Sequence, residues 1–314
     1  MACAFVFPGQ GSQAVGMGRD LAEAFPTARL VFEEVDEALR QKLSRLMFEG
    51  PERELTLTEN AQPALMAVSL AVMRVLERDG GLDLAKSCRF VAGHSLGEYS
   101  ALAAAKALSV TDAAKLLKTR GLAMQKAVPV GEGAMAALIG LDLDAAGEIA
   151  DLAATETGGI CAPANDNAPG QVVVSGSKAA VEFAAAEAGR RGARAVMLPV
   201  SAPFHSPLMR PAAEAMEAAL ENAALADPVV PLIANVTAQE VRDAATIRKL
   251  LVEQVTAVVR WRESVLYMKA RDVDTLVEIG AGRVLSGLAR RIDRELTAIS
   301  IGAPADIEKF LANV

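Results

Sequence analysis

Histidine occurs only twice in the 314 residues, as His94 and His205, which leaves few candidates for a general base. Cysteine is almost as scarce. Cys3, Cys88 and Cys161 are odd in number, far apart and in no C-x-x-C pair, so they support neither a disulfide framework nor a zinc site and read as small buried hydrophobes. Positive charge is not in excess either. Thirty-two Lys and Arg stand against 39 Asp and Glu, and a net charge of −7 argues against a nucleic-acid footprint or a basic membrane-binding face. The longest stretch without a formal charge, residues 1–18, barely matches the ~18 residues of a membrane span. It is broken by Pro8, four glycines, two glutamines and Ser12, so no bilayer crossing is expected. Residues 1–7 lack a basic n-region and run into a Pro-Gly turn too early for a signal peptide, and a cytoplasmic location is expected.

What is present is a chain of 52% hydrophobic and 23% charged residues, the make-up of a globular protein of one or two domains. The apolar run 4–7, closed by Pro8-Gly9-Gln10-Gly11, predicts a buried strand entering a glycine turn. Helical spacing follows at 20–25 and 27–48, and the apolar run 62–76 reads as a helix opened by Pro63. Residues 89–92 predict a strand, 93–97 a sharp turn and 98–107 an alanine-rich helix. The order then becomes strand 134–140, helix 143–155, strands 160–165 and 171–175, helix 179–191 and strand 194–200. That β-α-β-β-α-β sequence is the one of a ferredoxin-like split βαβ unit. Beyond it, helices at 208–223, 244–258, 261–270 and 284–292 are interspersed with strands at 230–236, 275–279 and 298–301. Such alternation implies an α/β fold with a mostly parallel sheet covered on both faces. The expected organisation is a large α/β catalytic domain, residues 1–130 and 200–314, with a ferredoxin-like subdomain inserted at 131–199.

Gly93-His94-Ser95-Leu96-Gly97 fits G-x-S-x-G, in which a serine sits on a strained strand-to-helix turn and flanking glycines let backbones approach closely. This copy follows a predicted strand and opens a predicted helix, the context the motif needs. Ser95 is therefore the candidate nucleophile, against the plainer reading of a helix N-cap serine. An activated serine needs a base. His94 adjoins Ser95 and its ring is expected to point elsewhere, which leaves His205, in the proline-bracketed segment Pro203-Phe204-His205-Ser206-Pro207. Projecting 112–126 at ~100° per residue puts Arg120 in the middle of the apolar stripe of Ala113, Leu116, Leu117 and Met124, with Lys115, Lys118 and Lys126 opposite. An inward arginine needs an anion, either a ligand or a buried carboxylate, unless its stem snorkels to water. The same projection over 246–258 places Gln254 among Ile247, Leu250, Leu251 and Val258, and a buried amide must be hydrogen-bonded, to a functional group or to a loop backbone. Gly9-Gln10-Gly11 with Ala14 resembles the start of a dinucleotide-binding turn, but Arg29 and Leu30 stand where its acidic partner belongs. Donation of backbone N–H groups to an oxyanion beside Ser95 is the better use of this turn.

Phe7-Pro8-Gly9-Gln10-Gly11-Ser12-Gln13, the stretch from Gly93 to Ser100, the segment from Asn165 to Val173 and Pro203-Phe204-His205-Ser206 together resemble the malonyl-CoA:acyl carrier protein transacylases. The resemblance implies an α/β-hydrolase-like large domain with a ferredoxin-like insert. It also implies Ser95 as nucleophile, His205 as base, the backbone N–H groups of Gln10 and Leu96 as the oxyanion hole, and Arg120 as the malonate-binding arginine. Gln254 would orient His205 through its backbone carbonyl, and Phe204 would exclude a 2-methyl substituent. The implied reaction is ping-pong: malonyl-CoA acylates Ser95, and the phosphopantetheine thiol of an acyl carrier protein accepts the malonyl group. No bound cofactor or metal is implied. An acidic carrier would need a local basic surface, for which Arg190, Arg191 and Arg194, or Arg290, Arg291 and Arg294, are the densest clusters.

Two rivals stay open at this level. A serine thioesterase or hydrolase would share Ser95 and recruit Asp142, Asp144 or Asp151 as the third member of a triad. A non-catalytic carrier-binding module would keep the fold alone. The pathway served is expected to be fatty-acid synthesis, with polyketide assembly and malonate decarboxylation as alternatives.

Overall fold

Strand β1, Cys3–Phe7, is buried along its whole length, as a strand must be when helices cover both faces of its sheet. Alternate side chains point to opposite faces. Phe5 and Phe7 join the larger apolar cluster with Leu65, Val68 and Val72, while Ala4 and Val6 join a second cluster with Trp261, Val265 and Leu288. In this computed structural model, which describes residues 2–200 and 202–313, the fold is mixed α/β with a mostly parallel main sheet. Met1, Ser201 and Val314 lie outside the described residues.

The remaining strands are β2 (Phe90–Gly93), β3 (Gly133–Ile139), β4 (Cys161–Ala168), β5 (Gln171–Ser177), β6 (Arg194–Met197), β7 (Leu232–Ile233), β8 (Glu240–Val241), β9 (Thr275–Ile279) and β10 (Thr297–Ile301). Six of the ten form the main sheet in the order β10-β9-β1-β2-β7-β8, parallel except for the β7–β8 pair. The other four form an antiparallel sheet, β4-β5-β3-β6, on which helices Leu143–Thr157 and Lys178–Arg190 pack around a cluster of Leu138, Ile149, Val174 and Val181. Strand β4 is tied to the segment that enters helix Trp261–Lys269, where Asp166 N–H donates to Val259 O at 2.9 Å and Val259 N–H to Ala164 O at 2.9 Å. Arg262 pairs with the buried Asp166 at the same seam, at 2.8 Å.

Several elements differ from the sequence reading. The expected helix 27–48 is two, Pro26–Leu39 and Leu43–Glu49, because Arg40 takes a left-handed conformation at φ 49 and ends the first. Pro63 does not open its helix but lies inside Thr58–Arg78, which begins a turn and a half earlier because five residues ahead of the proline also bury or pack. Strand 194–200 stops at Met197, and strand 230–236 shrinks to Leu232–Ile233. The helix expected over 208–223 is Arg210–Glu221 preceded by a short 3₁₀ turn, and the one expected over 244–258 is Ala244–Glu253. That last difference matters for the site, because it leaves Gln254 at the helix end.

Candidate active site

Strand β2 hands the chain to helix Gly97–Ala104 through a turn centred on Ser95, whose φ of 54 is left-handed. For a residue with a Cβ this costs about 1–2 kcal/mol, so neighbouring structure must impose it. The imposition is visible. A Cβ on Gly93 would meet Gly97 C at 1.9 Å, and one on Gly97 would meet Phe7 O at 2.2 Å, so only glycines allow the turn to close this tightly. Asn235 locks it from the far side, accepting Ser95 N–H at 2.7 Å and donating from Nδ2 to Gly93 O at 2.6 Å.

Ser95 Oγ lies 2.7 Å from His205 Nε2. His205 Nδ1 lies 2.9 Å from the backbone oxygen of Gln254, an acceptor, so Nδ1 carries the proton and Nε2 presents its lone pair to the serine hydroxyl. Gln254 can offer that carbonyl because it caps the helix instead of continuing it, and the last carbonyls of a helix have no partner within it. His205, like Ser95, has a left-handed backbone, at φ 55. Burial, and next the Arg120 charge, push its pKa down to about 3, which keeps the ring neutral and able to accept a proton. His94 is engaged elsewhere: its Nε2 lies 2.8 Å from Asn167 Oδ1 on β4, and its ring packs near Trp261.

Arg120 sits in the middle of helix Val110–Ala127, on the buried face with Ala113, Leu116, Leu117 and Met124, and is 1% exposed. Its guanidinium donates from Nη1 to Gln62 Oε1 at 2.9 Å, and from Nη2 to Gln254 Oε1 at 2.9 Å and Ser95 Oγ at 3.1 Å. Nε has no partner, and no carboxylate reaches ion-pair distance among the described residues. Neither a structural ion pair nor a snorkelling stem describes this arginine. It is a buried cation held by neutral amides beside a serine oxygen.

Gln10, Leu96 and Phe204 complete the surroundings. With Ser95, Arg120 and His205 they line one cavity of about 550 Å³, whose walls also include Met124, Met135 and Leu198. The N–H groups of Gln10 and Leu96 donate to none of the described residues, which leaves both available to an incoming oxyanion. Gln254 lies beneath the floor, fully buried.

Sequence reasoning assigned no role to Glu98, Asn235 or Gln62. All three are buried and hydrogen-bonded around the site. Gln62 and Glu98 stand on helices buried on nearly every side, so no polar stripe marks them, and Asn235 follows a two-residue strand. Asp142, one of the acids a hydrolase triad would use, instead caps helix Leu143–Thr157 by accepting Ala145 N–H at 2.9 Å. No group of three or more His, Cys, Asp or Glu side chains is placed to hold a metal among the described residues, and no described helix is long and apolar enough to cross a membrane.

Comparison with known proteins bears on this geometry. The model of the acyl transferase domain matches residues 4–295. The malonyl CoA-acyl carrier protein transacylase of Bacillus subtilis strain 168 is 48% identical over 306 residues, 97% of this chain and 95% of that one. The crystal structure of an acyl-carrier-protein S-malonyltransferase from Bartonella henselae is 57% identical, with a TM-score of 0.97 over 100% of this chain and 99% of that one. A malonyl-transacylase solved in complex with a holo type II PKS acyl-carrier protein is 42% identical, with a TM-score of 0.95 over the whole of both chains.

Proposed function

The chain belongs to the acyl transferase family, and within it to the malonyl CoA-acyl carrier protein transacylases, and from that premise we propose the following reaction. The protein moves the malonyl group of malonyl-CoA to the phosphopantetheine thiol of an acyl carrier protein, by a ping-pong route through malonyl-Ser95. His205 Nε2 takes the Ser95 hydroxyl proton as Oγ attacks the thioester carbonyl, and the oxyanion is received by the N–H groups of Gln10 and Leu96. The tetrahedral intermediate expels CoA thiolate, which takes the proton from His205. In the second half the carrier thiol gives its proton to His205 and attacks the ester, and Ser95 Oγ leaves with that proton.

The observation that carries this reading is the Arg120 guanidinium, buried without a carboxylate and 3.1 Å from Ser95 Oγ. In malonyl-Ser95 the free carboxylate is only three bonds from Oγ, within reach of a cation that already touches that oxygen. An acetyl group ends in a methyl there and leaves the arginine unpaired, a difference of roughly 3–5 kcal/mol for a buried pair. Phe204, 8% exposed at the cavity wall, would crowd a 2-methyl substituent.

The same reading extends to architecture and setting. Residues 131–199 form a ferredoxin-like insert, which the antiparallel order β4-β5-β3-β6 supports, and residues 1–130 and 200–314 form an α/β-hydrolase-like catalytic domain. The protein works in the cytoplasm without a bound cofactor and supplies fatty-acid synthesis. Of the two arginine clusters proposed to receive the carrier, the second is the freer one. Arg190 and Arg191 are paired with Glu187, and Arg191 also with Glu148, whereas the Arg291 guanidinium, among the described residues, donates to the Gln171 side-chain oxygen and pairs with no carboxylate.

Initial rates measured against malonyl-CoA at several fixed concentrations of holo carrier protein test the route. Parallel double-reciprocal lines are expected. Intersecting lines, or acyl-enzyme lost to water as fast in the absence of carrier as in its presence, would favour a sequential transferase or a hydrolase.

A further inference from the structure

Glu98 occupies the first turn of the helix that follows the nucleophile, is 1% exposed, and touches no cation among the described residues. Its Oε2 accepts the Asn235 backbone N–H at 3.0 Å and Gln254 Nε2 at 2.8 Å. Both partners reach the reacting groups. Asn235 holds the backbone of Gly93 and Ser95, and Gln254 presents Oε1 to Arg120 at 2.9 Å and its backbone oxygen to His205 Nδ1 at 2.9 Å. Burial raises the Glu98 carboxyl, against the pull of these hydrogen bonds and of the Arg120 charge.

A primary amide has a donating and an accepting end, and what one end meets decides what the other presents. With its carboxyl raised to about 7, Glu98 is partly protonated near neutral pH, and Oε2, which receives the Asn235 N–H, accepts in either state. Facing that oxygen and the Ser95 backbone carbonyl, to which its Nε2 also donates at 3.1 Å, Gln254 turns its NH2 group that way and its oxygen towards Arg120. Reversed, it would set NH2 against a guanidinium, donor against donor, and the Arg120 fork would lose one of its three anchors.

We propose that Glu98 is a positioning residue for acyl-group selection: as the nearer of the two acceptors that hold Gln254 Nε2, it anchors the Gln254 amide and thereby the Arg120 fork where the acyl carboxylate docks. This rests on the transacylase reading and deepens it. Asn235 keeps its own side-chain bonds to Gly93 and Ser95 when Glu98 is altered, so the nucleophile turn does not depend on the carboxylate in the same way.

The test is Glu98→Met, of similar length and a far weaker acceptor, assayed for Ser95 acylation by malonyl-CoA and by acetyl-CoA. The expected result is a fall of about tenfold in the malonyl-to-acetyl ratio of kcat/KM, with acetyl transfer changed by less than about threefold. Glu98→Gln, whose oxygen the Asn235 N–H draws to the same place, keeps the acceptor for Gln254 Nε2 and should hold the ratio within about threefold of the wild-type value. Gln254→Leu, which removes the relay but keeps the backbone carbonyl for His205, should lower the ratio as well, and Glu98→Met should add nothing in that background. An unchanged ratio in Glu98→Met, a ratio in Glu98→Gln as low as in Glu98→Met, equal losses with both donors, or a further loss in the double variant would overturn the proposal. Should Glu98→Met fail to fold, an unchanged ratio in Gln254→Leu would overturn it. Failure of the wild-type protein to form malonyl-Ser95 would instead remove the functional reading on which it rests.

Discussion

Ser95 and His205 stand on tight loops with left-handed backbones, at φ 54 and 55, whereas Arg120 stands in the middle of an 18-residue helix. In the proposed mechanism the two sides of the cavity have different tasks. The reacting side must expose an oxygen and a ring nitrogen to each other and to two backbone N–H groups, and a sharp turn does this at a cost in strain. The selecting side must keep a cation out of water without neutralising it, which needs a rigid buried face and partners that are polar but uncharged. Gln62 and Gln254 are such partners. Reaction and selection are thus carried by different groups that meet at Ser95 Oγ and share Gln254 as a support, and substitutions should separate them.

The sharpest break is Ser95→Ala. It should lower transfer by at least about 10³-fold with every acyl donor, since among the described residues no other hydroxyl of the cavity meets a histidine nitrogen. Rates with carrier protein would show it, and a surviving covalent adduct would dissolve the division of labour. A smaller effect ties the sides together through charge. His205 is pushed down to about 3 by burial first and by Arg120 second, so it stays neutral as pH falls below its ordinary 6.5, and protonation removes the base only near the lower value. Acylation of the wild-type protein is therefore expected to persist well below pH 6.5. Arg120→Ala deletes the second cause, so the acid limb of kcat/KM for acetyl-CoA should move upward in pH. An unmoved limb would mean that Arg120 does not act on the base electrostatically. The smallest change is expected at the wall. Phe204→Ala should raise transfer of methylmalonyl groups relative to malonyl by about tenfold, the lower end of what one methyl group is worth in an apolar pocket. No gain would relieve Phe204 of a part in selection.

The reacting side was legible because its strain demands particular residues. Gly93, Ser95 and Gly97 are what a turn this tight permits, and the shortage of histidine pointed to His205. The selecting side was half legible. Helix projection found Arg120, since a cation on an apolar stripe is anomalous whatever its purpose. It also found Gln254, but inside a helix that in fact ends one residue before it, and the end is what frees its carbonyl for His205. Glu98 and Gln62 escaped because their helices are buried all round, so apolar periodicity offers no face against which a polar residue stands out. The break at Arg40 was invisible for another reason: neither glycine nor proline marks it, and an exposed arginine takes the left-handed cap, after which Gln41 N–H closes on Asp36 O at 3.1 Å.

The most direct test of separate reaction and selection is the intact mass of wild-type protein and of Arg120→Ala after exposure to equimolar malonyl-CoA and acetyl-CoA, with Ser95→Ala as control. The account predicts a malonyl adduct on the wild type, a predominantly acetyl adduct on Arg120→Ala, and none on Ser95→Ala. An Arg120→Ala protein that still takes malonyl by preference would contradict it.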